Sequence, residues 1–262
     1  MTPRSGRSMP IIHYGQTDIG RRRKINEDAV FHADGLFIVC DGMGGHKSGE
    51  VASSLAVEAI VRFIERSNED RELTWPYGFN PRLTYSGNRL LTAIKLANRT
   101  VFKKANSGED YTGMGTTVAA VLVPPGETMM THAHVGDSRI YLIRDGAMLQ
   151  LTRDDSWANF AWSGVAPDDS SITGNTMKNI LTKALGARDD VDFDVVDQAL
   201  GDRDVVLLCS DGLTNMLPDR RILDIVSAHP SDLEGACHQL VAEANAQGGR
   251  DNVSVILVQY RH

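Results

Sequence analysis

Five aspartates lie where apolar, strand-like runs of the sequence begin or end: Asp28, Asp41, Asp137, Asp211 and Asp251. Carboxylates without thiolate or imidazole partners suit a hard cation such as Mg²⁺ or Mn²⁺, which keeps several waters. Two such ions about 3.5–4 Å apart would activate a shared water and clamp a phosphoryl group during in-line displacement. Each aspartate taken alone also fits a turn cap. Their convergence on one metal site is therefore a hypothesis.

The segment around Asp41 indicates how one of these carboxylates is held. Residues 36–40 have the length and branching of a buried strand, and from Glu50 onward the apolar residues recur at helical spacing. The glycines between strand and helix leave room for a ligand, so Asp41 is placed where an ion or a phosphate can be held. The apolar run 205–212 repeats the pattern of a strand that ends in Asp-Gly.

The remaining elements are grouped rather than strictly alternating. Segment 68–89 breaks the helical spacing and predicts a long loop, either a packed excursion or a partner surface. Runs of strands with helices grouped between them favour an α+β domain over repeated βαβ units. Hairpin spacing predicts one antiparallel meander over 116–151. The other predicted elements are helices at 53–65, 88–104, 217–227 and 232–245, and strands at 205–209 and 253–258.

Length and composition limit the function classes. A chain of 262 residues predicts one large domain, here residues 11–262 after a disordered tail at 1–10. The excess of 34 acidic over 27 basic residues argues against a nucleic-acid partner. Three scattered cysteines, Cys40, Cys209 and Cys237, indicate reduced core residues and a cytoplasmic location. We find no apolar run near the roughly 20 residues of a membrane span, and so expect no membrane partner.

Six short motifs follow one another along residues 11–260. They are Arg23-x-x-Asn26-Glu27-Asp28, Asp41-Gly42-Met43-Gly44-Gly45-His46, Gly113-Met114-Gly115-Thr116-Thr117, Val135-Gly136-Asp137-Ser138-Arg139, Ser210-Asp211-Gly212 and Gly249-Arg250-Asp251-Asn252. Together they resemble the metal-dependent protein phosphatases of the protein phosphatase 2C family, in their bacterial form. The resemblance implies an α+β fold in which two antiparallel β-sheets form a central sandwich flanked by α-helices.

The resemblance also implies a binuclear Mn²⁺ or Mg²⁺ centre with a role for each matched residue. Asp41 would bridge both ions, Asp211 and Asp251 would complete the first, and Glu27 with the Gly42 carbonyl would serve the second. Asp137, with Asp211, would hold a third and weaker ion. Asp28 would orient water, and the guanidinium of Arg23 would grip the substrate phosphate, for which its paired donors are suited.

The implied activity is hydrolysis of phosphoserine and phosphothreonine in proteins by a metal-bridging hydroxide, in a monomer that opposes a bacterial Ser/Thr kinase. Met43 stands where many eukaryotic members carry a histidine, so the proton donor to the leaving group stays unassigned. His46 or a metal-bound water could serve. Asp155 replaces a usual histidine just before a flap expected at 156–182, which leaves substrate preference open. One alternative is a partner-binding relative without catalysis, and another is a hydrolase of small phosphoesters.

Overall fold

Two antiparallel β-sheets form the centre of the computed structural model, which describes residues 11–44, 48–70, 74–156 and 181–261. In spatial order the first sheet contains β1 (Ile11–Asp18), β11 (Val253–Tyr260), β10 (Val205–Cys209), β7 (Arg139–Arg144) and β8 (Ala147–Gln150). The second contains β2 (Asp28–Ala33), β3 (Leu36–Met43), β5 (Val118–Leu122), β6 (Met129–Val135) and β9 (Val195–Ala199), and the short β4 (Gly115–Thr116) pairs with β3.

Helices cover the outer face of each sheet. The second sheet packs against α1 (Ser48–Glu69) and α2 (Tyr85–Ala105). The first packs against α3 (Asp211–Thr214), α4 (Asp219–Ala228) and α5 (Leu233–Ala246). A single 3₁₀ turn, Glu109–Tyr111, follows α2. The resulting order of helices, sheet, sheet and helices confirms the α+β sandwich expected from the sequence.

Side-chain alternation along the strands builds these layers. In β3, Phe37 and Val39 pack between the two sheets, whereas Ile38 and Cys40 pack under α1 and α2. Leu208 of β10 meets the same inter-sheet core from the other side. Strands covered on both faces are apolar at nearly every position, which is why β3 and β10 read as continuous hydrophobic runs in the sequence.

The predicted meander over 116–151 is wrong in one respect. β5 pairs with β6 and β7 pairs with β8, but β6 and β7 belong to different sheets. The chain crosses between the sheets at Gly136, whose φ of +103° is a conformation that favours glycine. A Cβ at this position would also press into Thr117. The crossing delivers Asp137 to the edge of the sandwich rather than to a hairpin turn.

The predicted loop at 68–89 is shorter than expected and packed. α1 continues to Glu69, and α2 begins at Tyr85, where the Thr84 side chain accepts a hydrogen bond from the Gly87 amide at 3.0 Å. Trp75 packs edge-on against Phe63 of α1, with ring centroids 6.3 Å apart. The loop is thus anchored on the helical layer.

Three other predictions fall wholly or largely outside the described residues. The expected tail at 1–10 and His46 are among them, as is the expected flap apart from its ends. At those ends Ser156 forms an antiparallel bridge with Leu181, and the Thr182 amide donates to the Asp155 carbonyl at 2.8 Å. Within the described ranges, none of the helices has the length and apolar character needed to cross a membrane.

Candidate metal centre

A cavity of about 630 Å³ opens at one edge of the sandwich, where β3 and β10 end and β11 begins. The structure brings seven of the eight predicted site residues to its wall: Arg23, Glu27, Asp41, Gly42, Asp137, Asp211 and Asp251. Asp28 is the eighth and lies behind the wall. The cavity is also lined by residues without a predicted role, among them Met43, Thr117, Thr182 and Lys183.

Strand register places Asp28 and Asp41 side by side. Asp28 of β2 is directly opposite Asp41 of β3, and directly opposed residues of antiparallel strands project to the same face. Asp41 continues the inter-sheet face of Phe37 and Val39, so both carboxylates point into the sandwich edge. Thr117 fixes this end of β3, because its hydroxyl accepts from the Asp41 amide and its amide donates to the Asp41 carbonyl, both at 2.9 Å.

The Gly42 carbonyl and Glu27 are held by close backbone contacts. The Gly42 amide donates to the Glu27 carbonyl at 3.1 Å, and the Glu27 amide donates to the Asn252 side chain at 2.8 Å. A Cβ on Gly42 would collide with the Gly49 carbonyl, so only glycine allows this approach. Burial raises the pKa of Glu27, and the nearby Arg23 opposes that shift.

Two serine hydroxyls hold Asp28 from the far sheet. Ser210 donates to Asp28 Oδ2 at 2.8 Å, and Ser254 lies 2.6 Å from the same oxygen. Ser254 is also 2.8 Å from the Thr17 hydroxyl, which in turn accepts from Asn26 at 2.8 Å. Within the described residues Asp28 Oδ1 is buried without a hydrogen-bond partner. Burial raises the pKa of Asp28 to about 7, although both serine hydrogen bonds oppose the shift.

The other carboxylates repel one another inside the cavity wall. Burial first, and then Asp28, Asp211 and Asp251, raise the pKa of Asp41 well above its ordinary value. Burial followed by the charge of Asp211 raises the pKa of Asp137 to about 7. Burial and Asp251 likewise raise the pKa of Asp211. Buried charges of the same sign are unfavourable unless a cation neutralises them. This edge of the protein therefore favours the binding of a cation.

The donor set fits divalent cations of the hard class. It consists of carboxylate and carbonyl oxygens, and one of them, Asp211 Oδ1, is buried without a hydrogen-bond partner among the described residues. In the same part of the chain, no three or more acidic, histidine or cysteine side chains already converge tightly enough to enclose an ion. Mg²⁺ and Mn²⁺ sites of this type use few protein ligands and keep several waters, so a tight protein cage is not required.

Arg23 contacts two of the predicted ligands instead of standing apart from them. Its guanidinium donates to Asp251 at 2.7 Å and to Glu27 at 3.3 Å, and its side chain is 45% exposed. The hydrogen bond with Asp251 is the largest cause that raises the Arg23 pKa. Arg23 is thus a partly exposed cation at the rim of the cavity, and its guanidinium points toward the carboxylates.

Asn252 is a site residue to which the sequence analysis gave no role. Its buried amide group donates to the carbonyls of Ile19 and Ile25 at 3.0 Å each, while its side-chain oxygen accepts from Glu27. It therefore ties the Arg23–Glu27 loop to the loop carrying Asp251. Asn252 follows Asp251 directly in a recognised motif, and that position was the available signal. Lys183, 3.6 Å from Asp155, had no comparable signal.

A carboxylate-lined cavity at the edge of an αββα sandwich, with a guanidinium beside it, suits a metal-dependent hydrolase of phosphoesters. The sequence matches the family model described as Protein phosphatase 2C over residues 19–245. The chain belongs to the protein phosphatase 2C family.

Similar proteins extend over nearly the whole chain. It is 35% identical to the serine/threonine phosphatase stp of Listeria welshimeri over 249 residues, covering 93% of this chain and 94% of that protein. It is 33% identical to protein phosphatase PhpP of Streptococcus pneumoniae, covering 92% and 94%. The crystal structure of the Mycobacterium tuberculosis phosphatase PstP/Ppp superposes with a TM-score of 0.79 at 29% identity, covering 96% and 99%. A structure of the PstP catalytic domain contains two manganese ions.

Proposed function

We propose that this protein hydrolyses phosphoserine and phosphothreonine in protein substrates, with two Mn²⁺ or Mg²⁺ ions at the Asp41 edge of the sandwich. The observation that carries the proposal is the group of buried, mutually repelling carboxylates around Asp41 and Asp211 in an open cavity. The names of the similar proteins, serine/threonine phosphatase stp among them, and the two manganese ions of the PstP domain support the same activity.

The position of each residue in the cavity indicates which ion it would bind. Asp41, Asp211 and Asp251 would hold one ion. Asp41 would also hold the other, together with Glu27 and the Gly42 carbonyl. Asp137, with Asp211, would hold a third and weaker ion. Bound divalent ions supply an activated water and neutralise phosphoryl oxygens.

Two further residues would position the reactants. Asp28 would orient metal-bound water through Oδ1, which has no hydrogen-bond partner among the described residues, while the serines fix its other oxygen. Arg23 would exchange its carboxylate partners for two phosphoryl oxygens of the substrate.

The context of this activity is also part of the proposal. A phosphoprotein phosphatase reverses a Ser/Thr kinase, so we infer a kinase in the same pathway. We propose a cytoplasmic monomer, a location supported by three buried cysteines that form no disulfide.

Phosphate release from a phosphothreonine peptide, measured with EDTA, Mg²⁺ and Mn²⁺ in parallel, tests the activity. We expect release only with a divalent ion. p-Nitrophenyl phosphate, assayed alongside, reports the chemistry without a polypeptide. Turnover of p-nitrophenyl phosphate but of no phosphopeptide would instead support a small-phosphoester hydrolase. Metal binding by calorimetry without release from any substrate would support a partner-binding protein.

A further inference from the structure

A second cavity, of about 520 Å³, adjoins the metal centre. We call it the Glu109 pocket and define it by Met43, Phe102, Glu109, Thr112, Met114 and Ala187. Met43 and Ala187 also line the catalytic cavity, so the two spaces share a wall. A polypeptide whose phosphorylated residue lies in the catalytic cavity therefore has this pocket within reach of its neighbouring residues.

The wall of the Glu109 pocket is open and combines apolar side chains with polar surface. Met114 is buried at 1% exposure, and Met43 and Phe102 are half-buried beside it. Gly108 and Gly113 add no side chain, and a Cβ at either would meet no atom within 4 Å among the described residues. The pocket can therefore accept a long side chain without rearrangement of its wall.

Glu109 gives the pocket its charge. It is the one charged residue among those that line the cavity in the described part of the chain. Its carboxylate forms no ion pair or hydrogen bond with another described residue, and its side chain is exposed. The cation of Lys104, five residues earlier in the chain, lies 3.7 Å from the centre of the Tyr111 ring. Glu109 is thus available to a cation supplied by a ligand.

We propose that the Glu109 pocket receives a lysine or arginine side chain of the substrate, located within about three residues of the phosphorylated residue in an extended chain. This inference rests on the proposed phosphatase function. The methylene stem of such a side chain would pack on Met43, Phe102 and Met114, while its charged end meets Glu109. A chain with a net charge of −7 further favours a basic segment. The pocket would make substrate choice depend on sequence beside the phosphate.

A set of phosphothreonine peptides tests this subsite. Each peptide carries a single arginine at one of the three positions on either side of the phosphothreonine, and its partner carries glutamine there. We expect the wild-type protein with Mn²⁺ to prefer one arginine peptide by about threefold to fivefold in kcat/KM, the range of an exposed charge pair. Glu109→Gln should abolish the preference, and Glu109→Lys should reverse it.

The controls separate the subsite from the chemistry. Asp110→Asn removes the same charge one residue further on, outside the pocket lining, and should keep the preference. p-Nitrophenyl phosphate turnover should be equal in all four proteins. A wild-type protein without preference at any position, or a Glu109→Gln variant that keeps it, would overturn the proposal. If no substrate is turned over, the phosphatase function fails, and fluorescence anisotropy with the same labelled peptides then decides the subsite by binding.

Discussion

The two ends of strand β10 carry buried carboxylates in opposite circumstances. Asp204, just before the strand, is 2% exposed and fully partnered: Arg144 donates to it through Nε at 2.9 Å and Nη2 at 2.5 Å, and the Gly201 amide donates at 2.6 Å. Asp211, just after the strand, has Asn215 on one oxygen, at 2.9 Å, and Asp251 as a repelling neighbour.

This difference separates a structural acid from a functional one. The protein supplies the cation at the Asp204 end, and the pair closes the turn between the sheets. At the Asp211 end the described residues supply several acids against two partly exposed cations, Arg23 and Lys183, so the charge balance is left to a ligand. Burial alone therefore does not mark the site; burial without a matching cation does.

The Asp211→Asn variant should produce the largest effect. The volume is unchanged but a ligand charge is lost, so we expect kcat/KM with Mn²⁺ to fall by at least about a hundredfold, the upper end of what outer-shell partners of metal ligands cost. Without metal, the melting temperature should stay equal or rise because a repelling charge is removed. Steady-state kinetics and a thermal melt in EDTA measure both. Activity close to wild type would remove Asp211 from the metal centre.

Arg144→Ala tests the opposite end of the strand. It leaves Asp204 buried without its cation, and we expect a loss of about 2 kcal/mol in the free energy of unfolding, less than for a fully buried pair because Arg144 is itself partly exposed. Urea denaturation measures the loss. Since Asp204 is remote from the metal centre, kcat/KM of the folded variant should equal that of the wild type. A stable variant with impaired catalysis would contradict the assignment of roles.

The sequence was informative where local pattern determines structure. The apolar runs at β3 and β10 correctly indicated buried strands. The six motifs indicated which acidic residues lie together at the cavity. The sequence did not show where the chain passes from one sheet to the other. The spacing of the strands is the same whether β6 pairs with β7 or the chain crosses to the other sheet at Gly136. β9 and α3 were also missed, because β9 is a half-exposed edge strand and α3 is a single turn.

The partners of the site residues were beyond the sequence for a similar reason. Ser254 and Ser210 reach Asp28 from 226 and 182 residues away, and only the completed sandwich brings those hydroxyls across. The contacts of Arg23 with Asp251 and Glu27 were not predicted, and its contact with the substrate phosphate stays a prediction. Side-chain pairing of this kind depends on which acceptors lie nearest in space.

Arg23→Ala should have a smaller effect than the two preceding variants. It tests whether Arg23 contacts substrate, unlike Arg144, which pairs with a structural acid. Loss of the phosphate grip should raise KM for a phosphopeptide by about tenfold with little change in kcat. Because the guanidinium also pairs with Glu27 and Asp251, its removal should lower the Mn²⁺ concentration for half-maximal activity. Arg22→Ala, the adjacent exposed arginine, serves as the control and should change neither value. An unchanged KM in Arg23→Ala would reassign the phosphate contact.

The smallest expected effect is a pH dependence of stability, which tests whether the carboxylates around Asp211 lack a neutralising cation. The folded-state pKa values of Asp28 and Asp137 are about 7, raised by burial above the ordinary 3.8. A raised carboxyl pKa means that the folded protein binds protons which the unfolded chain has already released, so metal-free stability should fall as pH rises from about 5 to about 7. Thermal melts in EDTA across this window should show the decline, and Mn²⁺ should flatten it by favouring the ionised carboxylates. Asp28→Asn should weaken the decline in EDTA, whereas a melting temperature that rises with pH there would mean that the cluster is already neutralised from within the protein.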